Sequence, residues 1–137
     1  DNWKFTALYS HTEGHTTEAG APNGPLSLEL GVTNISPDRL TGSVQWDFLP
    51  NGSAVLGATS YIGRDLNEGR VGEEHTHGYT IYDLTVSYDT ERWGAFSVGV
   101  ENLTDKFYFL SFSQIDFFRN YFAGRGRTVS INYRIDF

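Results

Sequence analysis

Apolar and polar residues alternate without an error along the end of the chain. Val129, Ile131, Tyr133, Ile135 and Phe137 hold one parity, and Thr128, Ser130, Asn132, Arg134 and Asp136 hold the other. Successive side chains of a strand point to opposite faces, so this segment is apolar on one side and polar on the other. Its length suits the roughly 9–11 residues with which a tilted strand crosses a bilayer. The same period recurs upstream. In Trp3 to His11, Trp3, Phe5, Ala7 and Tyr9 oppose Lys4, Thr6 and Ser10, with Leu8 out of step. In Leu40 to Leu49, Leu40, Val44, Trp46 and Phe48 oppose Thr41, Ser43, Gln45 and Asp47. In Tyr79 to Asp89, Tyr82, Leu84, Val86 and Tyr88 oppose Asp83, Thr85 and Ser87, with Ile81 out of step. In Ala95 to Lys106, Phe96, Val98 and Val100 oppose Ser97, Gly99 and Glu101, whereas the glycine-bearing stretch Ala54 to Gly63 is extended but ambiguous in parity. These segments predict an all-β fold, an antiparallel up-and-down meander of about six strands.

The connections sharpen that picture. Pro50-Asn51-Gly52 and the stretch around Thr90 to Trp93 make short turns, whereas Thr12 to Arg39, Arg64 to Gly78 and Phe107 to Arg125 are long and read as structureless. Long structureless loops are uncommon in compact domains, and here they fall at every second junction. All long loops therefore lie at one end of the sheet and all short turns at the other, the asymmetry of outer-membrane barrels. Phe137 then falls at the short-turn, periplasmic end. Six strands are fewer than the about eight of the smallest such barrels, so the chain is expected to be part of a larger one. A soluble, ligand-binding or adhesive β-domain whose sheet buries the same apolar face internally is the alternative at this stage.

Composition fits either reading. The chain of 137 residues is 39% hydrophobic and 15% aromatic, and a barrel with a polar interior makes only alternate residues apolar. No run is long enough for a transmembrane helix. A net charge of −7 without a basic patch argues against a nucleic-acid partner. The absence of cysteine removes disulfides and Cys-based metal sites. The start at Asp1, with no signal-like n-region or h-region, is expected of the interior or trimmed product of a longer protein. No nucleophile elbow or phosphate-binding glycine loop is visible, and no enzyme activity is expected.

Gly78-Tyr79-Thr80-Ile81-Tyr82-Asp83-Leu84, then Val98-Gly99-Val100-Glu101-Asn102-Leu103-Thr104-Asp105-Lys106-Phe107-Tyr108, then Gly126-Arg127-Thr128-Val129 and the terminal Tyr133-Arg134-Ile135-Asp136-Phe137 resemble the C-terminal region of the TonB-dependent outer-membrane receptors. Coverage is good over about the last 60 residues; upstream, Ile35-Ser36-Pro37 fits more loosely. The resemblance implies that residues 1–137 are the C-terminal part of a 22-stranded transmembrane barrel whose plug and TonB box lie outside this chain. It implies an outer-membrane location, import of a ferric siderophore or similar scarce ligand, and energy delivered through TonB by way of the plug. Outer-membrane lipid and the barrel-assembly machinery are the further partners. Val129, Ile131, Tyr133, Ile135 and Phe137 resemble the signal that machinery reads.

Under this resemblance the long loops face the ligand. Phe112, Gln114, Phe117, Arg119 and Tyr121 form a candidate aromatic patch with a cation, which suits an anionic ferric complex. His75 and His77 share a face if extended and are further candidates, set against the plain reading of solvated loop histidines. His11 and His15 belong to that plain reading, and no metal site or cofactor is expected. Trp46, Phe48, Tyr88, Trp93 and Phe137 would form a rim girdle. Asp83, Glu101, Arg134 and Asp136 would face the lumen.

Overall fold

The computed structural model describes residues 2–18, 26–68, 73–90, 92–115 and 121–135. Its strands are β1 (Trp3–Ser10), β2 (His15–Glu18), β3 (Leu26–Glu29), β4 (Arg39–Leu49), β5 (Gly52–Tyr61), β6 (Arg64–Leu66), β7 (Glu74–Thr76), β8 (Tyr79–Asp89), β9 (Ala95–Glu101) and β10 (Thr128–Arg134), with a 3-10 turn at Ser111–Ser113. The main sheet has six strands in the order β1-β4-β5-β8-β9-β10, every neighbour antiparallel. It is the expected up-and-down meander. The β2–β3 and β6–β7 pairs are separate hairpins, so two of the connections read as structureless carry sheet of their own.

The register carries one face across all six strands. Trp3 pairs with Trp46, Trp46 with Ala54, Ala54 with Val86, Val86 with Val98, and Val98 with Ile131. Rows on either side join Phe5, Val44, Leu56, Leu84, Val100 and Val129, and then Tyr88, Phe96 and Tyr133. The register also settles the parity of β5: Ala54, Leu56 and Ala58 share the apolar face, and Val55 and Tyr61 the polar one. Leu8 and Ile81 do lie on the polar face, which explains why they break the alternation.

No second layer covers the apolar face among the described residues. Phe5 is 73% exposed, Val129 61% and Ile131 74%, whereas the buried hydrophobic side chains among the described residues are Val32, Leu66, Tyr79 and Ile115. Three of those four belong to the long connections. The core of this chain thus sits in the loop layer, and the sheet keeps its apolar side chains on its surface. A soluble fold gains most of its stability by burying such side chains. This sheet leaves that gain unused within the described residues.

At the short-turn end the apolar face carries stacked aromatics. Trp3 and Trp46 lie 5.6 Å apart, Trp46 and Phe48 5.6 Å, and Phe96 and Tyr133 4.7 Å. The Tyr133 hydroxyl donates to the Trp93 carbonyl at 2.6 Å, and the Arg92 guanidinium sits 5.3 Å from the Trp93 ring centre. Trp46, Phe48, Tyr88 and Trp93, the expected rim residues, do lie at the short-turn end, together with Trp3, Phe96 and Tyr133. Phe137 and Asp136 lie outside the described residues.

Pro50-Asn51-Gly52 makes the expected short turn without positive φ, through a register shift between Asp47 and Leu49. Among the described glycines the left-handed one is Gly94, at φ +91°, where a side chain would strike the Arg134 carbonyl. The fifth predicted strand stops at Glu101 rather than Lys106, because Asn102 at φ +50° turns the chain out of the extended path.

Candidate functional site

Three long connections leave the same end of the sheet, and side-chain amides and carboxylates dock them on one another. Asn67, at φ +53°, mimics a strand partner for Glu29: it accepts the Glu29 N–H at 3.1 Å and donates to the Glu29 carbonyl at 3.2 Å. Glu74 Oε2 accepts the Val32 N–H at 2.9 Å. Gln114 accepts the His77 N–H at 2.7 Å and donates to the carbonyls of His77 at 3.2 Å and Phe109 at 3.0 Å. Ser113, fully buried, is paired as its burial requires: it donates to the Leu110 carbonyl and accepts the Phe122 N–H.

Between the second and third connections lies a cavity of about 460 Å³, lined by Glu73, Glu74, His75, His77, Phe109, Gln114, Ile115 and Tyr121. That volume suits a small-molecule site. His75, His77, Gln114 and Tyr121, all predicted, converge on it. His75 and His77 meet edge to face with centroids 4.8 Å apart, and His75 Nδ1 faces the Asp65 carboxylate. Gln114 reaches the cavity mainly as a stitch, since its three bonds all go to main chain. Phe112 is elsewhere: its ring lies 6.1 Å from Phe122, outside the lining. Phe117 and Arg119 lie outside the described residues. Sequence reasoning missed Glu73, Glu74, Phe109 and Ile115. The run Glu73-Glu74-His75-Thr76-His77 was the available signal for the first two. The described lining has carboxylates and imidazoles but no Lys or Arg, and no three metal-ligating side chains converge among the described residues.

A second hollow of about 320 Å³ lies on the polar face just below the loops, lined by Tyr61, Tyr79, Asp83, Glu101, Tyr108 and Arg125, among others. Tyr79 stacks between Tyr61 at 4.8 Å and Tyr108 at 4.5 Å. Burial pushes the Tyr108 phenol above its ordinary value, with nearby Tyr61 and the carboxylates of Asp83 and Glu101 adding to it. Asp83, Glu101 and Arg134 share the polar face with Ser97 and Asn132, as their parity predicted.

At the base of the first connection, Asp38 accepts the Tyr9 hydroxyl at 2.7 Å and meets His11 Nδ1 at 2.9 Å, while His11 Nε2 meets Glu13 at 2.9 Å. Hydrogen bonding to Asp38 and then Glu13 raises the His11 pKa, and hydrogen bonds from Tyr9 and His11 hold the Asp38 carboxyl below its usual value.

No protein-family model and no curated protein matches the sequence. Among solved structures the chain is similar to the closed form of the ferric-catecholate import receptor Fiu of E. coli K12, with 18% identity and a TM-score of 0.58. The match covers 95% of this chain and 18% of the receptor chain, so the chain spans less than a fifth of that receptor's length. At this identity the likeness speaks for the fold. The chain has the all-β fold of part of that receptor, a six-stranded antiparallel meander.

Proposed function

We propose that the chain is the C-terminal portion of the barrel wall of a TonB-dependent outer-membrane transporter, which binds and imports a ferric siderophore or similar scarce ligand. One observation carries the reading: a six-stranded sheet presents its apolar face unburied among the described residues while its long connections dock on one another at one end. Lipid turns that face from a liability into a source of stability. In this reading the face contacts outer-membrane lipid, and the loop layer with His75, His77 and Tyr121 faces the ligand outside the cell. The polar face surrounds a plug through which TonB acts. The terminal strand, with Val129, Ile131, Tyr133, Ile135 and Phe137, is read by the barrel-assembly machinery. The work done is transport, not catalysis.

The test is uptake. The intact protein that contains this chain, in an outer membrane lacking other ferric-siderophore receptors, is supplied with labelled ferric complexes and with TonB present or deleted. The panel spans trianionic tris-catecholates, neutral trihydroxamates and cationic linear trihydroxamates, because the described cavity lining offers no Lys or Arg. TonB-dependent uptake of at least one complex is expected. No uptake across the panel, together with recovery of the protein from the soluble fraction, would refute the reading.

A further inference from the structure

The residue that sets the third long connection in place is not in that connection. Asn102 is 2% exposed and sits at φ +50°, one residue beyond β9. Its N–H donates to Asp83 Oδ1 at 2.9 Å, which fixes it to β8. Its side-chain Nδ2 donates to the Lys106 carbonyl at 2.9 Å and to the Arg125 carbonyl at 3.0 Å, and its Oδ1 accepts the Lys106 N–H at 2.9 Å. Lys106 begins the departing limb of the connection and Arg125 ends the returning one. Asp105, at φ +53°, adds a second tie: its N–H donates to the Asn102 carbonyl at 2.8 Å, and its Oδ1 accepts the Arg127 N–H at 2.8 Å.

Above this clamp the limbs run as a short antiparallel ladder. Gly124 N–H donates to Tyr108 and Leu110 N–H to Phe122, both at 2.9 Å, around the facing pair Phe109 and Ala123. The ladder carries Phe109, Gln114, Ile115 and Tyr121 to the cavity.

We propose that Asn102 is a positioning residue for ligand binding: it pins both limbs of the third connection and so sets where the cavity wall stands. This rests on the transporter reading above. The chemistry singles out asparagine. It supplies two donors and an acceptor on one short arm and tolerates the left-handed region. Aspartate is of equal size but turns both donors into acceptors facing two carbonyls. Glutamine and leucine do not suit the backbone, and glycine suits it but has no arm.

Asn102→Asp is compared with wild type in the intact protein in detergent micelles, by amide exchange and by binding of whichever ferric complex the uptake panel identifies. Asp105→Gly, which keeps the positive φ and removes only the tie to Arg127, is a milder second variant. Exchange at the Leu110, Phe122 and Gly124 amides is expected to quicken roughly tenfold in Asn102→Asp and less in Asp105→Gly, with Val98 and Val100 in β9 unchanged. Ligand affinity is expected to fall roughly tenfold in parallel and to recover in part at a pH where the introduced carboxyl is protonated and donates again. If Asn102→Asp does not assemble, Asp105→Gly alone decides the outcome at the same amides. Ladder amides unchanged in the assembled variants would overturn the proposal, as would loosened limbs with affinity intact. A wild-type protein that binds no complex in the panel would instead refute the transporter reading, and the exchange result would still judge the clamp.

Discussion

Replacing Ile131 by lysine separates a lipid-facing sheet from a water-facing one by the sign of its effect. Ile131 lies at the middle of β10, in the row that runs through Val98, Val86, Ala54 and Trp46 to Trp3, and it is 74% exposed. On the lipid face of a barrel, lysine costs about 2–4 kcal/mol at the bilayer midplane and about 0–1 kcal/mol near the interfaces, and Ile131, one row in from Tyr133 at the short-turn end, falls between them at about 1–3 kcal/mol. At 1.36 kcal/mol per decade that is roughly a 5- to 160-fold loss in the equilibrium between inserted and unfolded protein. Asn132, one position along, belongs to the polar face opposite Ser97, and lysine there is expected to change stability by no more than about 0.5 kcal/mol. The assay is urea titration of the intact protein folded into phosphatidylcholine vesicles. Asn132→Lys should keep the wild-type midpoint and Ile131→Lys should lower it. In a soluble domain an isoleucine this exposed would accept lysine without penalty. Equal midpoints for the two variants, within about 0.5 kcal/mol, would refute the assignment of faces.

Other expectations rest on single contacts. In Gly124→Ala the new methyl would overlap the Tyr108 ring and force it off its stack on Tyr79, at a cost of about 1–3 kcal/mol in denaturation midpoint; an unchanged midpoint contradicts this. Gln114→Leu removes the two bonds to His77 that join the second and third connections, and a third to Phe109 within its own connection; it should loosen them by about 1 kcal/mol, read as faster exchange of the His77 amide. The His11–Asp38–Glu13 cluster should strengthen and weaken with pH. The raised His11 pKa gives a contribution complete below the ordinary imidazole value of 6.5 and lost as pH climbs through the higher folded value. The lowered Asp38 pKa gives one present above the ordinary 3.8 and lost as pH falls through the lower folded value. The base of the first connection should therefore resist proteolysis best between those limits, with Arg64 also acting on Asp38 and Tyr9 bonded to it. A His11 imidazole that titrates by NMR at or below 6.5 would contradict it.

Residues 3–10, 39–49 and 79–89 were legible as strands almost to the residue, because their side-chain period of two is a local property that the register merely extends. The motif Asn102-Leu103-Thr104-Asp105-Lys106 was visible as a resemblance, but its work as a clamp was not. That work needs Arg125, which lies far along the chain and close in space. The β2–β3 and β6–β7 hairpins escaped notice for a related reason: strands of three or four residues have too little pattern to announce themselves and exist through the docking of Asn67, Glu74 and Gln114 on neighbouring loops.

Chain order and alternation alone determined that this is an up-and-down β meander with one greasy and one polar side and with its long connections gathered at one end. Both are local rules, set by the pleat and by turn length. Tertiary structure alone decided that the greasy side stays uncovered, that the buried core lies in the loops at Val32, Leu66 and Ile115, and that His75, His77, Phe109 and Tyr121 wall one cavity. These depend on contacts between residues distant in sequence, whose energies no local pattern encodes.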